Sequence, residues 1–267
     1  MRASGKTIVV TGGGNGIGRQ LVLQLLERGA KIAAIDISEE GLAETTKLAG
    51  AKASSLSTHV ANITDKAVVE ALPDAVIAAH GQVDGLINCA GIIQPFVKFN
   101  ELEYSAIERV MNVNFWGLTY MTKTFLPLLL TRPEAHVVNF SSMGGFLPVP
   151  GQTIYGASKA AVKLMTEGLH SELTETGVKV TVVFPGAIAT DIAANSGLDM
   201  HLAEGADAPK HKTTSAVEAA RVVIEGMESN SYRVLIGGDA KMMDRLCRLM
   251  PERAAAIIYN QMKDLLG

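Results

Sequence analysis

Seven short runs of β-branched and apolar residues recur along the 267-residue chain, with longer windows of helical spacing between them. This alternation restricts the fold more than any other feature. The runs lie at 7–10, 31–36, 53–60, 83–89, 135–141, 179–184 and 232–236. Several are almost continuously apolar, as strands covered on both faces are. Helical windows lie near 17–28, 39–48, 64–79, 103–130, 155–176 and 215–228. In the first of them Leu21 and Leu25 face inward, and Arg28 closes the helix before Gly29. Strands that alternate with helices build parallel sheets through right-handed crossovers. The expected fold class is therefore α/β, a doubly wound parallel sheet of about seven strands with helices on both faces.

No Pro/Gly/Ser-rich linker divides the chain, so residues 1–240 read as one domain and 241–267 as a helical tail packed on it. Two segments break the rhythm. Residues 187–214 lack strong periodicity, hold Gly197, Gly205 and Pro209, and are expected to form a substrate loop or lid. Residues 238–266 look like two helices broken at Pro251. The net charge of −3 gives no bulk attraction to nucleic acid or to an anionic membrane. Cys89 and Cys247 make neither a disulfide scaffold nor a zinc site, and reduced thiols in a cytoplasmic protein are the simpler reading. The histidines at 59, 80, 136, 170, 201 and 211 show no metal-ligand spacing, so no metal is expected. The most apolar stretch, 115–130, carries Lys123 and Pro127 and is too broken to span a bilayer. The opening residues run straight into the first strand and leave no room for a signal peptide.

The first strand leads into Thr11-Gly12-Gly13-Gly14-Asn15-Gly16-Ile17-Gly18 and then a helix. Glycines let a backbone turn sharply and approach a ligand with no Cβ in the way. The N–H groups at the start of the helix then suit a diphosphate. The spacing of Gly12, Gly16 and Gly18 is G-x-x-x-G-x-G; Ile17 excludes the G-x-G-x-x-G fingerprint. Asp36 ends the second strand, where a dinucleotide fold meets the adenine ribose. A carboxylate there accepts from both ribose hydroxyls and repels a 2′-phosphate. Neither Asn15 nor Ile37 supplies the positive charge that such a phosphate needs, and Arg19 reads as a solvated helix residue. NAD is thus expected rather than NADP.

Tyr155 and Lys159 stand at i and i+4 of a predicted helix and share a face. A tyrosine is a poor acid/base near neutrality because its pKa is about 10, and a nearby ammonium lowers it. Ser141 and Ser142 lie at the end of a strand, where parallel-sheet sites form. Neighbouring strand residues point to opposite faces, so one of these hydroxyls is expected to reach the tyrosine.

Taken together these motifs resemble the short-chain dehydrogenase/reductase family, in its single-domain subgroup with a Rossmann-type sheet. The resemblance is carried by Thr11-Gly12-x-x-x-Gly16-x-Gly18, Asn88-Cys89-Ala90-Gly91, Asn112-Val113-Asn114, Ser142, Tyr155-Gly156-Ala157-Ser158-Lys159 and Pro185-Gly186, and spans about residues 5–240. It implies that Ser142 bonds the substrate oxygen, that Tyr155 is the proton donor and acceptor, and that Lys159 lowers the tyrosine pKa and binds the nicotinamide ribose. It implies that Asn114 holds a water between the lysine and solvent. Asn88, Ala90 and Gly91 resemble the stretch that lines the adenosine side and stabilises the sheet. Asn62, with Ile63 after it, stands where the family often has an Asp contacting adenine. Ile188 and Thr190, following Pro185 and Gly186, resemble the partners of the nicotinamide amide. Homodimers or homotetramers are implied in the same way.

Candidate walls of the substrate pocket are Gln94, Met143, Phe146, Val149, Gln152, Ala187, Leu198, Met200 and Leu202, few of them charged. A small-molecule alcohol or ketone of apolar character fits them better than a phosphorylated sugar. Met242, Met243, Leu246, Leu249 and Met250 repeat at helical spacing in the tail, which packs on the body, caps a greasy substrate or touches a membrane. Other readings stay open: an NADP-preferring carbonyl or 3-oxoacyl reductase, an enoyl reductase, dehydratase or epimerase, and a non-catalytic dinucleotide sensor.

Overall fold

The computed structural model describes residues 1–190, 192–197 and 213–263. Seven strands form one sheet: β1 (Thr7–Thr11), β2 (Lys31–Asp36), β3 (Leu56–Val60), β4 (Gly85–Asn88), β5 (Ala135–Phe140), β6 (Val178–Pro185) and, last in the chain, β9 (Arg233–Ile236). Their order is β3-β2-β1-β4-β5-β6-β9, and every pairing is parallel. The chain winds outward one way to β3 and the other way from β4, so the topological switch falls between β1 and β4. Open α/β sheets bind ligands beyond the carboxyl ends of the strands at that point.

Alternate strand residues face opposite layers. Ile8, Val10, Ile32 and Ala34 pack under α1 (Gly16–Glu27), α2 (Glu39–Ala49) and α8 (Ala216–Glu228). Val9, Ala33, Ile35 and Leu86 pack under α3 (Lys66–His80) and α5 (Leu118–Leu130), together with the end of α6 (Thr153–Glu172). This double coverage is why the strands read as apolar runs rather than as alternating ones.

Two elements depart from the sequence reading. The run at 53–60 becomes strand only from Leu56, because Gly50–Ser55 closes a tight 3₁₀ turn after α2. The single helix expected over 103–130 is α4 (Tyr104–Met111), a π turn at Asn112–Gly117 and then α5. π turns inside helices often mark functional sites. In the loop after β6, β7 (Ile188–Ala189) pairs with β8 (Thr214–Ser215), and α7 (Ile192–Asn195) lies between them in sequence. The tail forms α9 (Gly238–Leu249) and α10 (Pro251–Met262), with Pro251 opening the second helix.

Candidate active site

The turn after β1 is built by glycines with distinct tasks. Gly12 and Gly16 hold φ of +73° and +53°, a region that other residues enter with strain. A Cβ on Gly18 would overlap the Gly12 carbonyl oxygen, so its lack of one lets α1 start directly beneath the turn. Asn15 caps α1 by accepting from Gly16 N. Thr11 Oγ1 accepts from Cys89 N (3.1 Å) and Ala90 N (3.2 Å), which draws the exit of β4 against the same turn.

Asp36 is fixed at the edge of this turn. Its Oδ2 accepts from Gly14 N at 2.8 Å and its Oδ1 from Ser38 N at 3.0 Å. Arg19 is not the solvated residue expected: it is half-buried, its Nε donates to Thr45 Oγ1 (3.1 Å), and its Nη2 donates to the Gly14 carbonyl. The helix face of Arg19 meets α2, which the spacing within α1 could not reveal.

A cavity of ≈ 520 Å³ opens at the switch point. Gly12, Asn15, Gly16, Ile17 and Gly18 line it on the side of the turn, with Asp36 and Ile37 beside them. Asn62, Ile63, Ala90, Gly91 and Thr190 line it as well, whereas Tyr155, Lys159, Pro185, Gly186 and Ile188, also expected to contact the cofactor, are not among its lining residues. Asn62 Oδ1 already accepts from both Thr64 N and Thr64 Oγ1, so it turns its own backbone as well as facing the cavity. Asn88 lies below the cavity: its Nδ2 donates to Thr122 Oγ1 (3.0 Å) and Asn139 Oδ1 (2.8 Å), bracing the sheet. Arg109 and Val113 also line the cavity and were missed. They sit one helical turn apart, a signal present in the sequence.

Ser142 follows β5 and accepts from Gly144 N at 3.1 Å. Ser142 and Tyr155 both lie against Gly144: a Cβ there would stand 3.3 Å from the Tyr155 ring and 3.6 Å from Ser142 Oγ. Ser141 is buried and donates to Lys159 O at 2.8 Å, so the two serines divide as strand alternation requires. Lys159 is buried, with Nζ 6.0 Å from the centre of the Tyr155 ring and donating to Phe140 O at 3.0 Å. Gly91 makes room for it: a Cβ there would stand 3.1 Å from Lys159 Nζ and 3.2 Å from Asn114 Oδ1. Asn114 comes from the π turn, and its carboxamide is bonded to both backbone groups of Ile92 and to Ser158 Oγ.

Burial dominates the electrostatics of this cluster. It lowers Lys159 to about 8, because an ammonium out of water holds its proton less tightly. It pushes the Tyr155 hydroxyl up, and the nearby Ser142 hydroxyl works against that rise. The largest cause of the tyrosine shift is burial rather than Lys159, whose ammonium donates to the Phe140 carbonyl. Cys89 is half-buried on the cavity wall, and desolvation pushes its thiol up to about 12.

The short chain dehydrogenase family model matches residues 6–201. The chain belongs to the short-chain dehydrogenase/reductase family. SadH of Mycobacterium tuberculosis is 38% identical over 256 residues, covering 92% of this chain and 91% of that protein. A short-chain dehydrogenase/reductase from Burkholderia phymatum in complex with NAD superposes with a TM-score of 0.84 at 26% identity, covering 95% of this chain and 96% of the other. A short-chain dehydrogenase from Burkholderia cenocepacia in complex with NADP superposes at 0.80 and 26% identity, covering 97% and 99%.

In this short-chain dehydrogenase/reductase the expected substrate walls divide into two groups. Gln94 and Gln152 are buried and do not face an open pocket. Gln94 Oε1 accepts from Ile154 N (2.8 Å) and Tyr155 N (2.9 Å), and its Nε2 donates to Gly151 O (2.9 Å). Gln152 Nε2 donates to Gln94 O at 2.8 Å. The pair therefore caps and braces the helix that carries Tyr155. Met143, Phe146 and Val149 pack against Leu147, Met243, Ala254 and Ile258, so the tail meets the loop after Ser142. Ala187 is exposed at the end of β6, just after Pro185 and Gly186. Leu198, Met200, Leu202, His201 and His211 lie outside the described residues. Among the described residues no group of three or more His, Cys, Asp or Glu is placed to hold a metal, and no helix is long and apolar enough to cross a membrane.

Proposed function

We propose that this oxidoreductase transfers hydride between NAD(H) and a largely apolar secondary alcohol or ketone, with Tyr155 as general acid/base. The observation that carries the reading is the placement of Ser142 and Tyr155 against the same residue, Gly144, with buried Lys159 one turn further on. The cavity beside it suits a dinucleotide: glycines with no Cβ at the turn, the first N–H groups of α1, and a held carboxylate. Bound there, the nicotinamide supplies a hydride acceptor or donor. In oxidation the Tyr155 oxygen takes the proton of the substrate hydroxyl. Ser142 donates to that oxygen as it becomes a carbonyl. Burial disfavours the phenolate, so Tyr155 needs a cation to act as a base near neutrality, and Lys159 is the cation on its own helix face. Reduction reverses these steps. Met143, Phe146 and Val149 support an apolar substrate.

The preference for NAD rests on Asp36. Both its oxygens are held by backbone N–H groups, so the carboxylate cannot swing away from a 2′-phosphate. NADP is the second reading, because Arg19 lines the same cavity. Exposed Tyr104 of α4 and exposed Trp116 of the π turn support self-association as a dimer or tetramer.

The test is steady-state turnover of a panel of secondary alcohols with NAD and with NADP. NAD is expected to be preferred, and Asp36→Asn to narrow the preference. Tyr155→Phe is expected to lose about 10²–10⁴-fold in rate while binding NADH nearly normally. A variant that keeps more than about a hundredth of the rate refutes the acid/base role. NADH binding with no turnover across the panel refutes the enzyme reading in favour of a sensor.

A further inference from the structure

The C-terminal tail is tied to the chain beyond β6 at a point none of the catalytic residues touches. Gly186 N donates to Ile236 O at 2.9 Å, and Thr214 N donates to Ala187 O at 3.0 Å. The Ala187 N–H donates instead to a side chain, Asp239 Oδ2, at 2.7 Å. Asp239 lies in the first turn of α9, where a carboxylate also faces the positive end of the helix dipole. Its carboxylate fills a notch between Gly186 and Gly237. A Cβ on either glycine would overlap Asp239 Oδ1, and Gly237 holds φ of +93°. Neither glycine serves the turn of the cofactor cavity, so the notch is an arrangement separate from it.

Among the described residues, the rest of the hold on this segment is Ile188 packed against the core and one short ladder. Directly after Ala187, Ile188 and Ala189 pair with Thr214 and Ser215. Two residues of ladder are too short to be stable alone. Thr190 then lines the cavity. The other end of the tie is firm: Asp244 of α9 pairs with Arg233 at 2.8 Å, and the Arg233 guanidinium lies 4.6 Å from the centre of the Phe184 ring. α9 and α10 also pack on Leu147.

We propose that Asp239 is a positioning residue for the nicotinamide end of the cofactor site, holding the 186–190 segment in register from the tail. The proposal rests on the dinucleotide reading above and assigns the tail a part in cofactor binding. Asp239→Ala removes the acceptor of one charge-assisted bond and should weaken NADH about tenfold. ADP-ribose, which lacks the nicotinamide, should bind within about twofold of the wild type. In the free protein, hydrogen exchange at the Ala187 amide should speed up in the same variant. Asp239→Asn keeps an acceptor oxygen and should restore both. Asp239→Ser, too short to reach Ala187, repeats the test if the alanine variant does not fold.

Equal weakening of NADH and ADP-ribose overturns the proposal, as does unchanged NADH binding. Failure of Asp239→Asn to restore binding overturns it too. A wild type that binds NADH while the variants match it sinks only the role of Asp239. A wild type that binds neither NADH nor NADPH sinks the dinucleotide reading, and this proposal with it.

Discussion

Replacing Gln94 separates two roles that its residue type alone leaves open. The side chain is fully buried, accepts from Ile154 N and Tyr155 N, and donates to Gly151 O. Those two N–H groups belong to the first turn of α6, where a helix has no acceptors of its own. Gln94→Met keeps the volume and leaves two donors and one acceptor without partners. Each buried unsatisfied group costs about 1–3 kcal/mol, and first-turn donors recover part of that by shifting toward water. A loss of about 3–5 kcal/mol follows. For a chain of this size that is a fall in Tm of roughly 6–20 °C. Because Tyr155 is one of the capped residues, kcat should fall more than KM rises. Thermal unfolding of the free protein, followed by circular dichroism, measures the first effect, and initial rates measure the second. If Gln94→Met melts within about 2 °C of the wild type and only substrate preference changes, Gln94 is a pocket wall and the capping argument is wrong.

Two further predictions concern pH. Lys159 falls from its usual 10.5 to about 8 on burial, so the unfolded chain binds more protons between those values and stability rises with pH across that window. Lys159→Met should therefore stabilise the free protein at pH 7 by on the order of 3 kcal/mol, with the gap closing above the upper value, while turnover is lost; a variant less stable at pH 7 refutes this. His136, buried in β5 with Nε2 2.8 Å from Thr181 Oγ1, is lowered from 6.5 to about 3. Its contribution is present above pH 6.5 and lost as pH falls toward 3, so His136→Gln should flatten acid unfolding in that range, and an unchanged acid limb counts against it.

Much of the fold was legible because it is written in local spacing. β-branched runs marked the seven strands of the sheet, and the apolar spacing of Leu21 and Leu25 marked the face of α1 that packs on them. The π turn at Asn112–Gly117 was not legible. It changes the hydrogen bonding of a continuous helical stretch without interrupting its apolar pattern. Gly12, Gly16 and Asp36 could be picked out as a group because a strand, a turn, a helix and the next strand follow one another without interruption.

The sequence alone determined the α/β alternation, the family, and the shared face of Tyr155 and Lys159, since an i, i+4 pair meets by helix geometry whatever surrounds it. Tertiary structure decided the rest. It turned Gln94 from a wall into a cap, drew Arg19 onto the Gly14 carbonyl, and brought Asp239 to the Ala187 amide. In each case the side chain bonds to the backbone of another element. Such partners are set by how the layers pack, and they leave no period in the sequence from which to read them.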